Sequence, residues 1–179
     1  MADLKEFEQK AEELRVLGMK ISIGQDTVYE KYWDEDCRRN IYSASKSFTS
    51  CAVGFAVQEG LIDLDERLMD AFKEDIPNNP DENLKKATVK DLLTMTLGQE
   101  KGFLMGKQRP RMEEQSWVKA SLAIPFVYEP GTHFVYNNVG PYLAGILVQR
   151  RAGCDLLSYL TPRLLKPLGI RKTIWEVDP

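Results

Sequence analysis

Tyr42-Ser43-Ala44-Ser45-Lys46-Ser47-Phe48-Thr49-Ser50-Cys51-Ala52-Val53-Gly54-Phe55-Ala56-Val57-Gln58-Glu59 is the stretch on which the fold turns. Between Lys46 and Glu59 it carries no charge. A segment of this length with so little polar face reads as a helix over 43–59, central and buried, with Gly60 as its stop. Ser43 and Lys46 stand at i and i+3, so on a helix they share one face, and at the first turn the positive end of the macrodipole faces both. Burial and the dipole push an amine there toward its neutral form, which accepts a serine proton. First-turn amides lack helical partners, so the Ser43 backbone N–H is a ready donor to an oxyanion.

A Ser-x-x-Lys pair is weak evidence by itself, since about one is expected by chance in a chain of this length. A second stands at Ser116-Trp117-Val118-Lys119. Context separates the two: Lys119 follows Glu113, Glu114 and Gln115 on an amphipathic segment, where an ammonium sits in water, whereas Lys46 opens a charge-free helix. The alternative for Lys46 is a side chain that simply reaches the helix surface; buried lysines are rare enough to favour a function or a partner.

Upstream, Leu4, Phe7, Ala11, Leu14 and Leu17 recur at three and four and predict a surface helix over Asp3 to Leu17, closed by Gly18. The period then changes. Met19, Ile21 and Ile23 alternate with Lys20 and Ser22, a Gly24-Gln25-Asp26 turn follows, and a β-prone run begins at Thr27, predicting a hairpin over Met19 to Trp33. Its second strand mixes apolar groups with charge on both faces, as an edge strand does, and an open edge of this kind can pair with a second copy. Downstream the pattern is helical: a short helix around Glu66 to Phe72, a loop through Pro77 and Pro80 to Asn83, a helix from Val89 to Leu97 capped by Thr88 and Asp91, one over Glu113 to Ile124, one from about Pro141 to Ala152, and one after Asp155 that Pro162 must kink or break. Glu129-Pro130-Gly131 predicts a tight turn before an extended Phe134-Val135-Tyr136. The organisation expected is a single domain over 1–179: helix plus hairpin (3–33), catalytic helix (43–59) and a helical region (60–179).

A phenol and an amide two residues apart in extended chain point to the same side. Tyr136 is thus a candidate proton relay if an ammonium lowers its pKa, and Asn138 a candidate holder of Lys46 or of a substrate carbonyl. Asn137-Asn138 is equally turn chemistry. His133 carries no companion acid motif and reads as packing or surface.

Composition excludes other classes. With 179 residues, 43% hydrophobic and 28% charged, the chain is globular and not disordered. Its 24 basic and 27 acidic residues form no basic cluster for nucleic acid. No apolar run approaches a membrane span, and the amino terminus has no apolar h-region, which points to a cytoplasmic location. One histidine and three cysteines, Cys37, Cys51 and Cys154, without C-x-x-C leave no metal site or disulfide framework; the cysteines read mostly as packing, with Cys51 in the core. No cofactor is required.

Four segments in order, Tyr42 to Thr49, Leu92-Leu93-Thr94-Met95-Thr96-Leu97-Gly98, Glu129-Pro130-Gly131 with Tyr136-Asn137-Asn138, and Lys166-Pro167-Leu168-Gly169-Ile170, resemble the serine beta-lactamase-related family of class C beta-lactamases, penicillin-binding proteins, esterases and 6-aminohexanoate-oligomer hydrolases. The resemblance spans about residues 19 to 178. It implies an α+β, mostly helical, beta-lactamase/transpeptidase-like region with an amino-terminal hairpin and the remaining strands missing. It also implies Ser43 as acylated nucleophile, Lys46 and Tyr136 as the proton-transfer pair, Asn138 as an orienter, and a small ester, lactam or amide as substrate. The family's third motif, Lys-Thr-Gly or His-x-Gly on an edge strand, does not occur; Lys172-Thr173-Ile174 lacks the glycine and follows Tyr136 too closely. The alternatives are a silent fragment that folds or self-associates, and a binding module unrelated to hydrolysis.

Overall fold

The computed structural model describes residues 4–35, 37–109 and 116–178. The chain divides into two compact units, residues up to 41 and residues from 42 onward.

The first unit is a helix and a hairpin. Helix α1 (Lys5–Glu13) is shorter than the predicted span, and Asp3 lies outside the described residues. Strands β1 (Gly18–Ile23) and β2 (Asp26–Tyr32) pair antiparallel across the Gly24-Gln25 turn, where Gly24 takes φ +60°. Ile21 pairs with Tyr29 and Ser22 with Thr27, so Val28 is an extra residue, a bulge that accounts for the imperfect alternation of this strand. The contacts between α1 and β2 are polar: Glu8 accepts from Tyr29 Oη (2.7 Å) and Lys31 Nζ (2.5 Å), and Glu12 from Trp33 Nε1 (2.9 Å). Among the described residues the sheet has these two strands alone.

The second unit is helical and holds the main core. A 3₁₀ turn, Tyr42–Ala44, leads into α2 (Ser45–Gln58). The short helices α3 (Leu68–Ala71), α4 (Glu82–Lys86), α5 (Val89–Thr94) and α6 (Trp117–Leu122) follow, then α7 (Val139–Ala152) and α8 (Leu156–Leu160), which passes into a π-helical turn, Thr161–Leu165, at Pro162. On α2 the residues Thr49, Ala52, Val53 and Ala56 are buried, one stripe at helical spacing. They face α7, which buries Val139, Leu143, Ala144, Leu147 and Val148. Small residues line this pairing, Ala52 and Ala56 on α2 and Ala144 and Gly145 on α7, and even a Cβ on Gly145 would make only ordinary contact, 3.8 Å from Thr49 Cγ2. Gly140 matters more, because a Cβ there would stand 2.2 Å from the Leu92 carbonyl oxygen of α5. Leu68, Phe72, Leu84, Leu92, Leu97, Leu122 and Tyr159 complete the core.

Caps follow the sequence. Thr88 and Asp91 form a capping box on α5, Asp155 accepts from Ser158 N–H on α8, and α7 ends at Gly153 with φ +68°. Several expectations need correction. The 43–59 helix opens with a 3₁₀ turn, and only one face of it is buried; Cys51 is exposed, as are Cys37 and Cys154, so none of the three is a packing residue. The α5 helix stops at Thr94 and not Leu97, because Met95 enters the left-handed region at φ 57°. The loop through Pro77 and Pro80 ends before Asn83, because Glu82–Lys86 is a helix, and α6 starts at Trp117, with Glu113 outside the described residues.

Candidate active site

The chain enters the 3₁₀ turn before α2 through Tyr42, which takes φ 46°, a left-handed conformation unusual for an aromatic residue. Its carbonyl accepts from Ser45 Oγ (2.7 Å), which closes the turn. Ser43 is thereby held outward, exposed at the start of α2, with Lys46 half-buried one turn on. Lys46 Nζ donates to Ser43 Oγ at 3.1 Å. The far end of α2 is tied down: Glu59 accepts from Arg163 Nε (2.7 Å) and Tyr159 Oη (3.0 Å).

Tyr136 arrives from 93 residues away, and its Oη lies 2.7 Å from Ser43 Oγ. Its ring lies beneath the Lys46 ammonium, 5.2 Å from Nζ to centroid. The hydrogen bond with Ser43, and then the neighbouring Lys46, hold the Tyr136 phenol below the ordinary tyrosine range. The segment that carries it is pinned along its length. Gly131 N–H donates to Thr96 O (2.9 Å) and Val135 N–H to Met95 O (3.0 Å), so the left-handed turn after α5 supplies the carbonyls that align 131–136. That is the structural task of the Leu92 to Gly98 motif. Buried Asn137 then starts α7, donating from Nδ2 to Val135 O (3.2 Å) and accepting Gly140 N–H (3.1 Å). Turn chemistry is all that the sequence assigns to Asn137; an Asn three residues before a helical Gly is the signal for this further role.

Asn138 is two residues from Tyr136, but its described bonds point to another loop: its backbone N–H donates to Phe103 O (3.2 Å) and Nδ2 to Leu104 O (2.9 Å). The structure thus brings Ser43, Lys46 and Tyr136 together, with Asn138 gripping the loop beside them. Ser116 has a different occupation, capping α6 by accepting Lys119 N–H at 3.3 Å. His133 stacks on Tyr128 with centroids 4.2 Å apart and bonds Thr132 Oγ1. Lys172-Thr173-Ile174 is exposed, irregular chain. Among the described residues no group of His, Cys, Asp and Glu is placed to hold a metal ion, and no helix is long and apolar enough to cross a membrane.

Ser43 thus presents an exposed hydroxyl with a lysine and a tyrosine in hydrogen-bond contact, two groups able to exchange a proton with it. The beta-lactamase family model matches residues 5–179. The chain belongs to the beta-lactamase family. Among this family's curated members, monacolin J acid methylbutanoyltransferase of Aspergillus terreus is 31% identical over 165 residues, which cover 81% of this chain and 39% of that protein. Lovastatin esterase of Penicillium rubens is 31% identical over 150 residues, 72% of this chain and 37% of the relative. Of solved family structures, the octameric penicillin-binding protein homologue from Pyrococcus abyssi superposes with a TM-score of 0.70 at 25% identity, covering 94% of this chain and 43% of its own. A class C beta-lactamase at 19% identity shares the fold, with a TM-score of 0.72 over 92% of this chain and 48% of that one. The chain spans about two fifths of the length of these curated relatives. The beta-lactamase/transpeptidase fold is therefore shared, here as mainly its helical part with one hairpin.

Proposed function

We propose that Ser43 is the nucleophile of a serine hydrolase or acyltransferase working through an acyl-enzyme. The observation that carries this reading is the position of Ser43 Oγ between Lys46 Nζ (3.1 Å) and Tyr136 Oη (2.7 Å). Ser43 Oγ attacks the carbonyl carbon of an ester, lactam or amide while its proton passes to the Tyr136 phenolate, which the Lys46 ammonium stabilises, so that the two act as the proton-transfer pair. The tetrahedral oxyanion takes a hydrogen bond from the Ser43 backbone N–H. Collapse breaks the bond from carbon to the leaving oxygen or nitrogen, and the held proton goes to the departing group. Water, in hydrolysis, or an alcohol, in transfer, then attacks the acyl-Ser43 ester with the same pair as base, and Asn138 orients the substrate or Lys46. The names of the two curated relatives, an acyl transferase and an esterase, support an ester over a lactam.

The test is a fluorophosphonate probe followed by peptide mapping. Wild type is labelled at Ser43, Ser116→Ala equally well, Ser43→Ala not at all, and Lys46→Ala about 10²- to 10⁴-fold more slowly. Labelling of Ser43→Ala at the wild-type rate would place the nucleophile elsewhere. A second reading has its own observations: the sequence lacks a Lys-Thr-Gly or His-x-Gly motif, and the match covers 39% of the methylbutanoyltransferase. On that reading the chain folds and self-associates through the open hairpin edge without turnover, and a folded chain that resists the probe would favour it.

A further inference from the structure

Between α5 and α6 the chain runs close against the segment that carries Tyr136. Three contacts hold the two together. Asn138 N–H donates to Phe103 O (3.2 Å), Asn138 Nδ2 donates to Leu104 O (2.9 Å), and the α-carbon of Gly102 lies so near the Tyr136 carbonyl that an added Cβ would stand 2.7 Å from that oxygen. Leu104 takes φ 56° while 2% exposed, so this loop keeps a left-handed, buried leucine as it presents its carbonyl to Asn138. At its start the loop is anchored by Gln99, fully buried, which donates from Nε2 to Ser121 O of α6 (3.0 Å). The loop is therefore fixed at both ends and touches the backbone of Tyr136 itself.

We infer that Gly102 is a positioning residue for Tyr136: its missing side chain lets the 99–105 loop seat directly on the Tyr136 carbonyl and so sets how near the phenol comes to Ser43 Oγ. The inference rests on the reading of Ser43, Lys46 and Tyr136 as one site. Gly102 has no unusual backbone requirement, since its φ lies outside the left-handed range, so an alanine there changes only the contact. A Cβ at 2.7 Å from a backbone oxygen has to be relieved by moving one backbone or the other, and because Asn138 bonds both Phe103 O and Leu104 O the two segments are tied, so a shift of the loop is passed on to the chain at 136–138. Among the described residues the charged group facing the phenol is Lys46, with the Ser43 hydroxyl as hydrogen-bond partner, both on the chain that opens α2. Gly106 provides the comparison in the same loop: among the described residues a Cβ there meets only the Arg109 side chain, at 3.8 Å.

The experiment follows Tyr136 without requiring activity. Tyrosine labelled with ¹³C at Cζ is titrated by NMR, with Tyr136→Phe to assign the resonance, in wild type, Gly102→Ala and Gly106→Ala. In wild type the Tyr136 resonance titrates below the ordinary tyrosine range, in Gly106→Ala it stays there, and in Gly102→Ala it moves up toward that range. In parallel, fluorophosphonate labelling of Ser43 falls about 10²-fold in Gly102→Ala, the loss expected from a misplacement of about 1 Å. Circular dichroism reports folding. If Gly102→Ala does not fold, Asn138→Ala serves instead: the Asn138 side chain makes no capping bond to α7, and losing its hold on Leu104 should shift Tyr136 in the same direction. A Tyr136 titration in the folded variant that matches wild type overturns the inference. Wild type that is not labelled at Ser43, with the NMR shift present, overturns the acylation reading and leaves the positioning role standing.

Discussion

Replacing Gly140 by alanine should damage both stability and the site, and replacing Gly54 should do neither. At Gly140 the new Cβ would stand 2.2 Å from Leu92 O and 3.1 Å from Leu92 C, both backbone atoms, whereas ordinary contact begins near 3.4 Å. No rotamer change can relieve that, so α5 and α7 must part by about 1 Å, as overpacked cores do at a cost of roughly 1–3 kcal/mol. Val89, Leu92, Val139 and Leu143, all buried, lose contact as the helices separate. For a chain of this size about 2 kcal/mol corresponds to roughly 4–8 °C in Tm. Gly140 N–H donates to Asn137 Oδ1 and Gly140 follows Tyr136 by four residues, so the same displacement reaches the phenol and slows labelling of Ser43 well below the melting temperature. Gly54, on the exposed face of α2 with open space around its Cα, should instead gain about 0.5–1 kcal/mol as alanine from the smaller entropy loss. Urea melts of the three proteins with labelling rates at 20 °C provide the check. Equal midpoints for Gly140→Ala and wild type would refute the account of the α5–α7 contact, and so would a Gly54→Ala variant less stable than Gly140→Ala.

Three further outcomes are expected. Ser116→Ala should cost about 1 kcal/mol in thermal or urea melts through the lost α6 cap, with no effect on Ser43 labelling. Glu59 is held below the usual carboxylate range by its bond from Arg163, and next by Tyr159, so its contribution is present above the unfolded-state value of about 4.3 and is lost as pH falls through the lower folded-state value; Glu59→Gln should therefore lower Tm at pH 7, with the difference from wild type vanishing in acid. Sedimentation velocity at micromolar concentration should show association through the open hairpin edge, weakened by Val28→Lys at the exposed bulge; identical monomeric behaviour of both proteins would count against that edge.

Local signals in the sequence carried much of this structure. Thr88 with Asp91, Asp155, Pro141 with Gly153, and Pro162 each have a mechanism that acts within a turn or two of chain, and each marks a cap or break that forms. The spacing of Ser43 and Lys46 likewise fixes their approach through one turn of backbone. The contact of Tyr136 with Ser43 spans 93 residues, and only the resemblance to the beta-lactamase family suggested it. What sequence patterns missed depends on backbone conformation set by tertiary contact: the left-handed Tyr42, Met95 and Leu104, none a residue type that signals such a φ. Cys51 misled for a related reason. A charge-free helix reads as central and buried, yet its stripe of buried residues is narrow and the other face, with Ser47, Cys51 and Gly54, is exposed. Absence of charge reports that a face tolerates burial, not that a partner covers it. Gly102 had no local signal, because its importance lies in a carbonyl 34 residues further along the chain.

The central claim, acylation of Ser43, is tested most directly by intact-mass spectrometry of the folded chain mixed with p-nitrophenyl butyrate and quenched at short times. The account predicts one added butyryl group, mapped by peptide sequencing to Ser43, slowed in Tyr136→Phe and missing from Ser43→Ala. A butyryl group found on another residue, or present in Ser43→Ala to the same extent as in wild type, would contradict it.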